Sequence, residues 1–301
     1  MYHLIIEKTD LDLKKTLMSG QVFRYEMDIN STNDLESRNY YILIYREYAV
    51  LVTEEEAGYL FHCSDTEFKR IWYHYLDLGR DYETVNNRIV RIDPRLEIAI
   101  NNNRGIRILR QDPFEMLITF IISQSKAIPQ IRLLVNNIAK SYGTYTKTIR
   151  GEDIFSFPTA KQLEHLREED FRMLKFGYRA SYLVAAVKWA LEEPSLLMTS
   201  IDDYMVNIGD EQLKKNLLSI KGVGDKVAAC VMLFGYARHK SFPIDVWMRR
   251  IMNVLYFHEE DKKTDKDMEA FGRCLFGEDA GIAQQYLFEY GRVELKLMNK
   301  K

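Results

Sequence analysis

The spacing of apolar and polar positions changes character along the chain. Residues 40–44, 49–53 and 58–62 are short runs of β-branched and aromatic side chains separated by polar or charged turns. That pattern predicts an antiparallel meander. Stretches at 11–17 and 66–75 predict two accompanying helices, and the polar tract 31–39 predicts a loop. From Pro94 onward apolar residues recur at three- and four-residue steps, the period of a helix with one buried face. Helices are expected over 114–122, 129–140 and 180–192, with others near 212–218, 225–236, 246–255, 266–275 and 281–290. Gly143, Gly151, Gly177 and Gly209 punctuate them. There is no internal repeat and no low-complexity segment. The expected fold class is α+β: an N-terminal antiparallel sheet domain with flanking helices over residues 1–100, then a helical body over 101–301. A helix-hairpin-helix is expected at about 212–236.

Composition narrows this picture only a little. The 301 residues are 47% hydrophobic and 29% charged, enough for about two domains with their own cores. No apolar run approaches the length of a membrane span, and the first residues turn to charge at once, so a cytosolic location is expected. Cys63, Cys230 and Cys274 are odd in number and far apart, which argues against a disulfide framework, a zinc site and an iron–sulfur cluster. Asn30-Ser31-Thr32 fits a glycosylation acceptor, but in a cytosolic chain it reads as a polar turn. A net charge of −2, from 42 basic and 44 acidic residues, speaks against binding nucleic acid by overall charge. It leaves open a local basic face and backbone N–H groups at helix N-termini.

The most informative stretch is Leu217-Leu218-Ser219-Ile220-Lys221-Gly222-Val223-Gly224-Asp225-Lys226-Val227. One helix runs into Gly-Val-Gly and a second begins immediately. Gly222 and Gly224 allow a tight turn and close backbone approach to another surface. The second helix then presents free N–H groups and its positive dipole end, which suit a phosphate. Taken alone, such a turn is a helix corner found in many folds. Lys226 adds chemistry. In the first turn of a helix a cation opposes the dipole, and partial burial also favours the neutral amine that can attack carbon. Most lysines are instead solvated surface groups. Further on, Ser241-Phe242-Pro243-Ile244-Asp245-Val246 places Asp245 where a helix begins, and capping is the commonest task for such an aspartate. A capping carboxylate held by helix N–H groups is also ionised and aimed.

A glycine-rich hairpin ending in lysine, followed by a Pro-x-Asp helix start, resembles the helix-hairpin-helix–Gly/Pro-Asp superfamily of base-excision glycosylases. Three further stretches narrow the resemblance to the 8-oxoguanine DNA glycosylase/lyase family. They are Ser19-Gly20-Gln21-Val22-Phe23-Arg24, Arg107-Ile108-Leu109-Arg110-Gln111-Asp112-Pro113-Phe114-Glu115, and Ala280-Gly281-Ile282-Ala283-Gln284-Gln285-Tyr286-Leu287-Phe288. The similarity runs in order from about residue 19 to 288.

The resemblance implies a monomeric, bifunctional enzyme acting on double-stranded DNA that contains 8-oxoguanine. The base would be rotated out of the stack. The Gly20 carbonyl would accept the lesion's extra N–H, which normal guanine lacks. Cys230 and Phe288 would sandwich the purine, and Gln284 would read its pairing edge. Lys226 would attack the sugar, Asp245 would stabilise the positive charge that develops, and an imine on Lys226 would allow β-elimination. No redox cofactor is required. Gly222, Gly224 and Trp247 would lie against the DNA backbone, and the carbonyls of Leu218, Ile220 and Val223 would hold a structural cation. Tyr178 and Arg179 match the residues that meet the opposite base. Ser125 lies in the run Ser123-Gln124-Ser125-Lys126-Ala127-Ile128-Pro129-Gln130, where the family's eukaryotic-type members are asparagine-rich, and Gln130 stands where those members carry an arginine that reads cytosine. Trp247 stands where those eukaryotic-type members carry a phosphate-contacting histidine. Lesion reading is therefore expected intact and opposite-base preference relaxed. Two other readings remain. A monofunctional alkyl-base glycosylase would keep the aspartate and lack Lys226. A non-catalytic helix-hairpin-helix protein would need neither Asp245, Gly20 nor Gln284.

Overall fold

The β-branched runs form a five-stranded antiparallel sheet in the order β1-β5-β4-β3-β2. Its strands are β1 (Tyr2–Ile5), β2 (Tyr25–Asp28), β3 (Tyr40–Tyr45), β4 (Tyr48–Glu55) and β5 (Gly58–Phe61). The structure, a computed structural model, describes residues 1–29, 39–197, 208–257 and 262–298. The Asn30-Ser31-Thr32 triplet and all of the expected loop except Asn39 lie outside the described residues.

β3 is buried on both faces. On one side Tyr41, Leu43 and Tyr45 join Val50, Val52 and Phe61 in a core with Leu13, Leu17, Phe68 and Trp72. On the other, Ile42, Ile44 and Ala49 meet Ile149 and Ile154. Those two residues come from a hairpin of β6 (Tyr145–Ile149) and β7 (Glu152–Phe155), which the hydrophobic pattern does not announce. The helix expected at 66–75 runs from Asp65–Glu67 through a π-helical turn at Phe68–Trp72 to Tyr73–Tyr75.

The larger core belongs to the helical body. At its centre is Pro113–Ser123, every residue of which is buried from Pro113 to Ile122. A helix apolar all round lies inside, not on a surface. Helices Tyr82–Ile92 and Glu97–Asn103, absent from the sequence-based reading, pack into this same core through Tyr82, Val85, Ile89 and Ile100. So although the composition changes near residue 100, the helical core already takes in chain from residue 82 onward. The remaining expected helices form, with Ile128–Tyr142, Ala180–Glu192, Asp210–Leu218, Asp225–Phe234, Val246–Leu255, Asp265–Phe276 and Ala280–Met298 as their bounds.

Two buried glutamines stitch the sheet domain to the helices. Gln21 Nε2 donates to the Arg107 carbonyl at 2.8 Å, and the Leu109 N–H donates to Gln21 Oε1 at 2.7 Å. Gln111 Nε2 donates to the Gln21 carbonyl at 2.9 Å. Arg24, also buried, faces Glu115 at 3.4 Å and donates to the Phe155 carbonyl. Burial pushes the Glu115 carboxyl up to about 7 against the pull of Arg24. Buried polar groups so tied fix one geometry, because any shift would strand a donor or acceptor. The segment bearing Gly20 is thereby set against the helical body.

Candidate active site

The hairpin forms as its glycines require. Gly222 has φ +88, and a Cβ there would lie 2.2 Å from the Tyr182 ring, so the turn is packed tightly on that ring. Gly224 precedes the second helix and faces open space, with its backbone available to an outside surface. The Val223 N–H donates to the Ile220 carbonyl at 3.0 Å, leaving that oxygen a second lone pair for a cation. Among the described residues no group of three or more His, Cys, Asp or Glu side chains could hold a metal ion.

Lys226 stands in the first turn of Asp225–Phe234. Its Nζ donates to Ser123 Oγ at 3.3 Å and lies 5.2 Å from the centre of the Phe120 ring. Asp245 is the N-cap of Val246–Leu255 and accepts from the Met248 N–H at 2.8 Å. Burial raises its carboxyl above the ordinary aspartate value, while Met248 and the charge of Lys226 draw it back.

These two residues share a cavity of ≈ 550 Å³ with Gly20, Cys230, Trp247, Gln284 and Phe288. That volume lies within the usual range for small-ligand sites, about 300–1,000 Å³. Gly20 has φ +78, and a Cβ on it would sit 3.4 Å from Phe288, so glycine keeps this wall thin and open. Gln285 Nε2 donates to the Ser19 carbonyl at 2.9 Å, clamping the Gly20 loop to the helix that bears Gln284 and Phe288. The Gln284 amide oxygen is buried without a partner. Burial pushes the Cys230 thiol up to about 11, so it is a neutral, polarizable wall and not a nucleophile. Sequence reasoning left Phe120, Ser123, Lys126 and Tyr25 without roles, yet all line the cavity. Ser123 and Lys126 were visible in the run after the Gln-Asp-Pro helix. Nothing local marked Tyr25.

The other expected site residues lie outside this cavity. Arg179 is buried at 5% exposure, donates to the Gln124 carbonyl, and covers the Tyr178 ring at 4.3 Å. Tyr178 is half exposed. Gln124 Nε2 donates to the Gly222 carbonyl at 3.0 Å, which joins this corner to the hairpin. Ser125 is exposed with φ +54, and Gln130 caps its own helix through the Ala127 N–H at 3.4 Å. Gln130 is thus engaged locally, and no bond ties it to Arg179.

Residues 3–117 match the 8-oxoguanine DNA glycosylase N-terminal domain, and residues 118–275 match the HhH-GPD superfamily of base excision DNA repair proteins. The N-glycosylase/DNA lyase of Saccharomyces cerevisiae is 30% identical over 284 residues, covering 88% of this chain and 73% of that protein. That of Arabidopsis thaliana is 28% identical, covering 95% of this chain and 79% of its own. The 8-oxoguanine glycosylase/lyase of Clostridium acetobutylicum, solved with double-stranded DNA containing cytosine opposite 8-oxoguanine, superposes with a TM-score of 0.83 at 35% identity. It covers 94% of this chain and 92% of that one. A lysine on a glycine hairpin and an N-capping aspartate from the following helix, lining one cavity, fit these likenesses, and the chain belongs to the 8-oxoguanine DNA glycosylase/lyase family within the HhH-GPD superfamily of base excision DNA repair proteins.

Proposed function

We propose that this chain excises 8-oxoguanine from duplex DNA and then cleaves the strand at the sugar left behind. One observation carries the reading: a lysine amine and a helix-capping carboxylate line the same cavity as Gly20, Cys230, Gln284 and Phe288. A base inside a duplex cannot reach such a cavity, so it is flipped out. Phe288 and Cys230 then hold its two faces. The unpartnered Gln284 oxygen receives a donor from the pairing edge, which removes the cost of leaving it unsatisfied. The Gly20 carbonyl accepts the lesion's N7–H. Guanine has a lone pair there and meets repulsion.

The Lys226 amine attacks C1′ as the bond from C1′ to the base breaks, and the bonding pair leaves with the base. Asp245 steadies the positive charge that grows on the sugar. One proton of the attached amine passes to the departing base, the C1′–O4′ bond breaks with its electron pair going to O4′, which takes up a proton, and C1′ is left double-bonded to nitrogen as an imine. Loss of a C2′ proton then expels the 3′ phosphate. Each step is redox-neutral, so the reaction asks for no redox cofactor. Gly222, Gly224 and Trp247 meet the DNA backbone, and the carbonyls of Leu218, Ile220 and Val223 hold a cation that bridges to a phosphate. Tyr178 wedges beside the opposite base, with Arg179, Ser125 and Gln130 around it. The chain works as a monomer on the DNA of a bacterial-type cytosol or nucleoid. No helix among the described residues is long and apolar enough to cross a membrane.

Borohydride reduction during turnover tests this reading. The chain should be captured covalently on duplex DNA containing 8-oxoguanine, free 8-oxoguanine should be released, and Lys226→Gln should abolish capture. Base release without capture would instead favour a monofunctional glycosylase.

A further inference from the structure

Lys226 and the Tyr178–Arg179 corner come from distant parts of the chain, yet both meet two consecutive residues. Ser123 is the last residue of the buried helix Pro113–Ser123, and its hydroxyl receives Lys226 Nζ at 3.3 Å. Gln124 follows. Its carbonyl receives the buried Arg179 guanidinium, whose plane covers the Tyr178 ring. Its side-chain amide donates to the Gly222 carbonyl at 3.0 Å. Gly222 packs closely on the Tyr182 ring, where an added Cβ would lie at 2.2 Å. Tyr182 in turn packs edge-on to Tyr178 with ring centres 5.8 Å apart. The opposite-strand corner, the hairpin turn and the nucleophile are therefore joined through residues 123–124.

We propose that Gln124 is a positioning residue that couples the Tyr178–Arg179 corner to the hairpin bearing Lys226. The inference rests on the function proposed above and adds a route by which contact with the orphaned base sets the rate of attack. When Tyr178 and Arg179 meet that base, Arg179 draws on the Gln124 carbonyl, and the Gln124 amide carries the change to Gly222, three residues before the start of the Lys226 helix. The coupling acts on the reacting geometry of Lys226 and not on DNA affinity.

A double-mutant cycle between Arg179 and Gln124 tests it, read as the rate of borohydride capture with enzyme in excess over lesion duplex. Gln124→Glu is isosteric but replaces the donor facing the Gly222 carbonyl with an acceptor. Arg179→Lys keeps the charge but loses the planar fork that covers Tyr178 while reaching a carbonyl. Each change should slow capture by about tenfold, the scale expected when a distant change misplaces a reacting group by a fraction of an ångström. The double mutant should match the slower single to within about twofold, since both break one path. Gln124→Met, which removes the donor without adding charge, should behave like Gln124→Glu. Duplex affinity and Tm should stay near wild-type values in Gln124→Met, which adds no charge beside the hairpin. Independent effects that multiply in the double mutant, no slowing in either Gln124 variant, or losses that follow Tm or affinity would overturn the inference while leaving the enzyme reading intact. Failure of the wild type to be captured would overturn both.

Discussion

Lys226 Nζ donates to Ser123 Oγ at 3.3 Å, so the candidate nucleophile rests on the last residue of a helix that is buried from Pro113 to Ile122. A hydroxyl can orient an amine without pairing its charge, which leaves the nitrogen free to turn toward a sugar. Ser123→Ala should keep the fold and slow single-turnover excision several-fold, in line with about 1 kcal/mol for one hydrogen bond. An unchanged rate would show that Phe120 and the helix backbone aim the amine by themselves.

Asp245 should set both the acid limb of activity and a stability penalty. Burial raises its carboxyl above the ordinary aspartate value, about 3.9. Only the carboxylate can steady a positive sugar, so excision should fall off at a pH above that value. Between the unfolded and the raised folded pKa the native state binds more proton, so stability from this group falls as pH rises through that window. Asp245→Asn keeps an acceptor for the Met248 N–H and removes the buried charge. It should abolish excision yet melt above wild type at neutral pH, the gap closing in acid below the unfolded pKa. Thermal melts across pH decide it, and a lower Tm at neutral pH would contradict the burial argument.

Gly20 offers a separation of fold from recognition. Alanine there would hold φ +78 and bring its Cβ to 3.4 Å from the Phe288 ring. Backbone strain should cost about 1–2 kcal/mol of stability. Loss of lesion excision should be far larger, because the added methyl narrows the slot beside the carbonyl that reads the base. Comparing Tm with the excision rate checks this.

The hairpin glycines should respond to alanine very unequally. At Gly222 the new Cβ would collide with the Tyr182 ring at 2.2 Å, whereas at Gly224 nothing lies within 4 Å. Gly222→Ala should therefore lower Tm strongly. Gly224→Ala should cost at most about 1 kcal/mol, as an N-cap change. It should still weaken duplex binding, because its methyl projects where a phosphate would approach. Melting and DNA-binding measurements on the pair test the assignment of the free face.

Opposite-base preference should be relaxed, since Ser125 is short and exposed and Gln130 is engaged in capping its own helix. Excision rates with the lesion opposite each of the four bases should differ by less than the about 1–3 kcal/mol of a dedicated base-reading contact. Strict dependence on cytosine would refute this.

What was legible in the sequence follows the range of the physics involved. β3, β4 and β5 were readable because buried strands concentrate β-branched and aromatic residues. β1 and β2 escaped because each is four residues long and lies at a sheet edge. The β6–β7 hairpin is mostly polar, and its apolar contact with the sheet comes through Ile149 and Ile154. Tyr82, Val85 and Ile89 did carry a helical spacing, so the helix Tyr82–Ile92 was open to the same reasoning that found the others.

By itself the sequence determined the local pieces: the glycine turn, the lysine one step into a helix, the capping aspartate and the motif order that marks the family. These depend on backbone freedom and on neighbours a few residues apart. The tertiary structure alone decided that Gly20, Ser123, Lys226, Asp245 and Gln284 meet around one cavity. It also decided that Gln124 joins Arg179 to Gly222, and that Gln284 keeps a buried oxygen unpaired. The reason is that such meetings are fixed by packing between elements distant in the chain, and no local periodicity encodes which side chains will face one another.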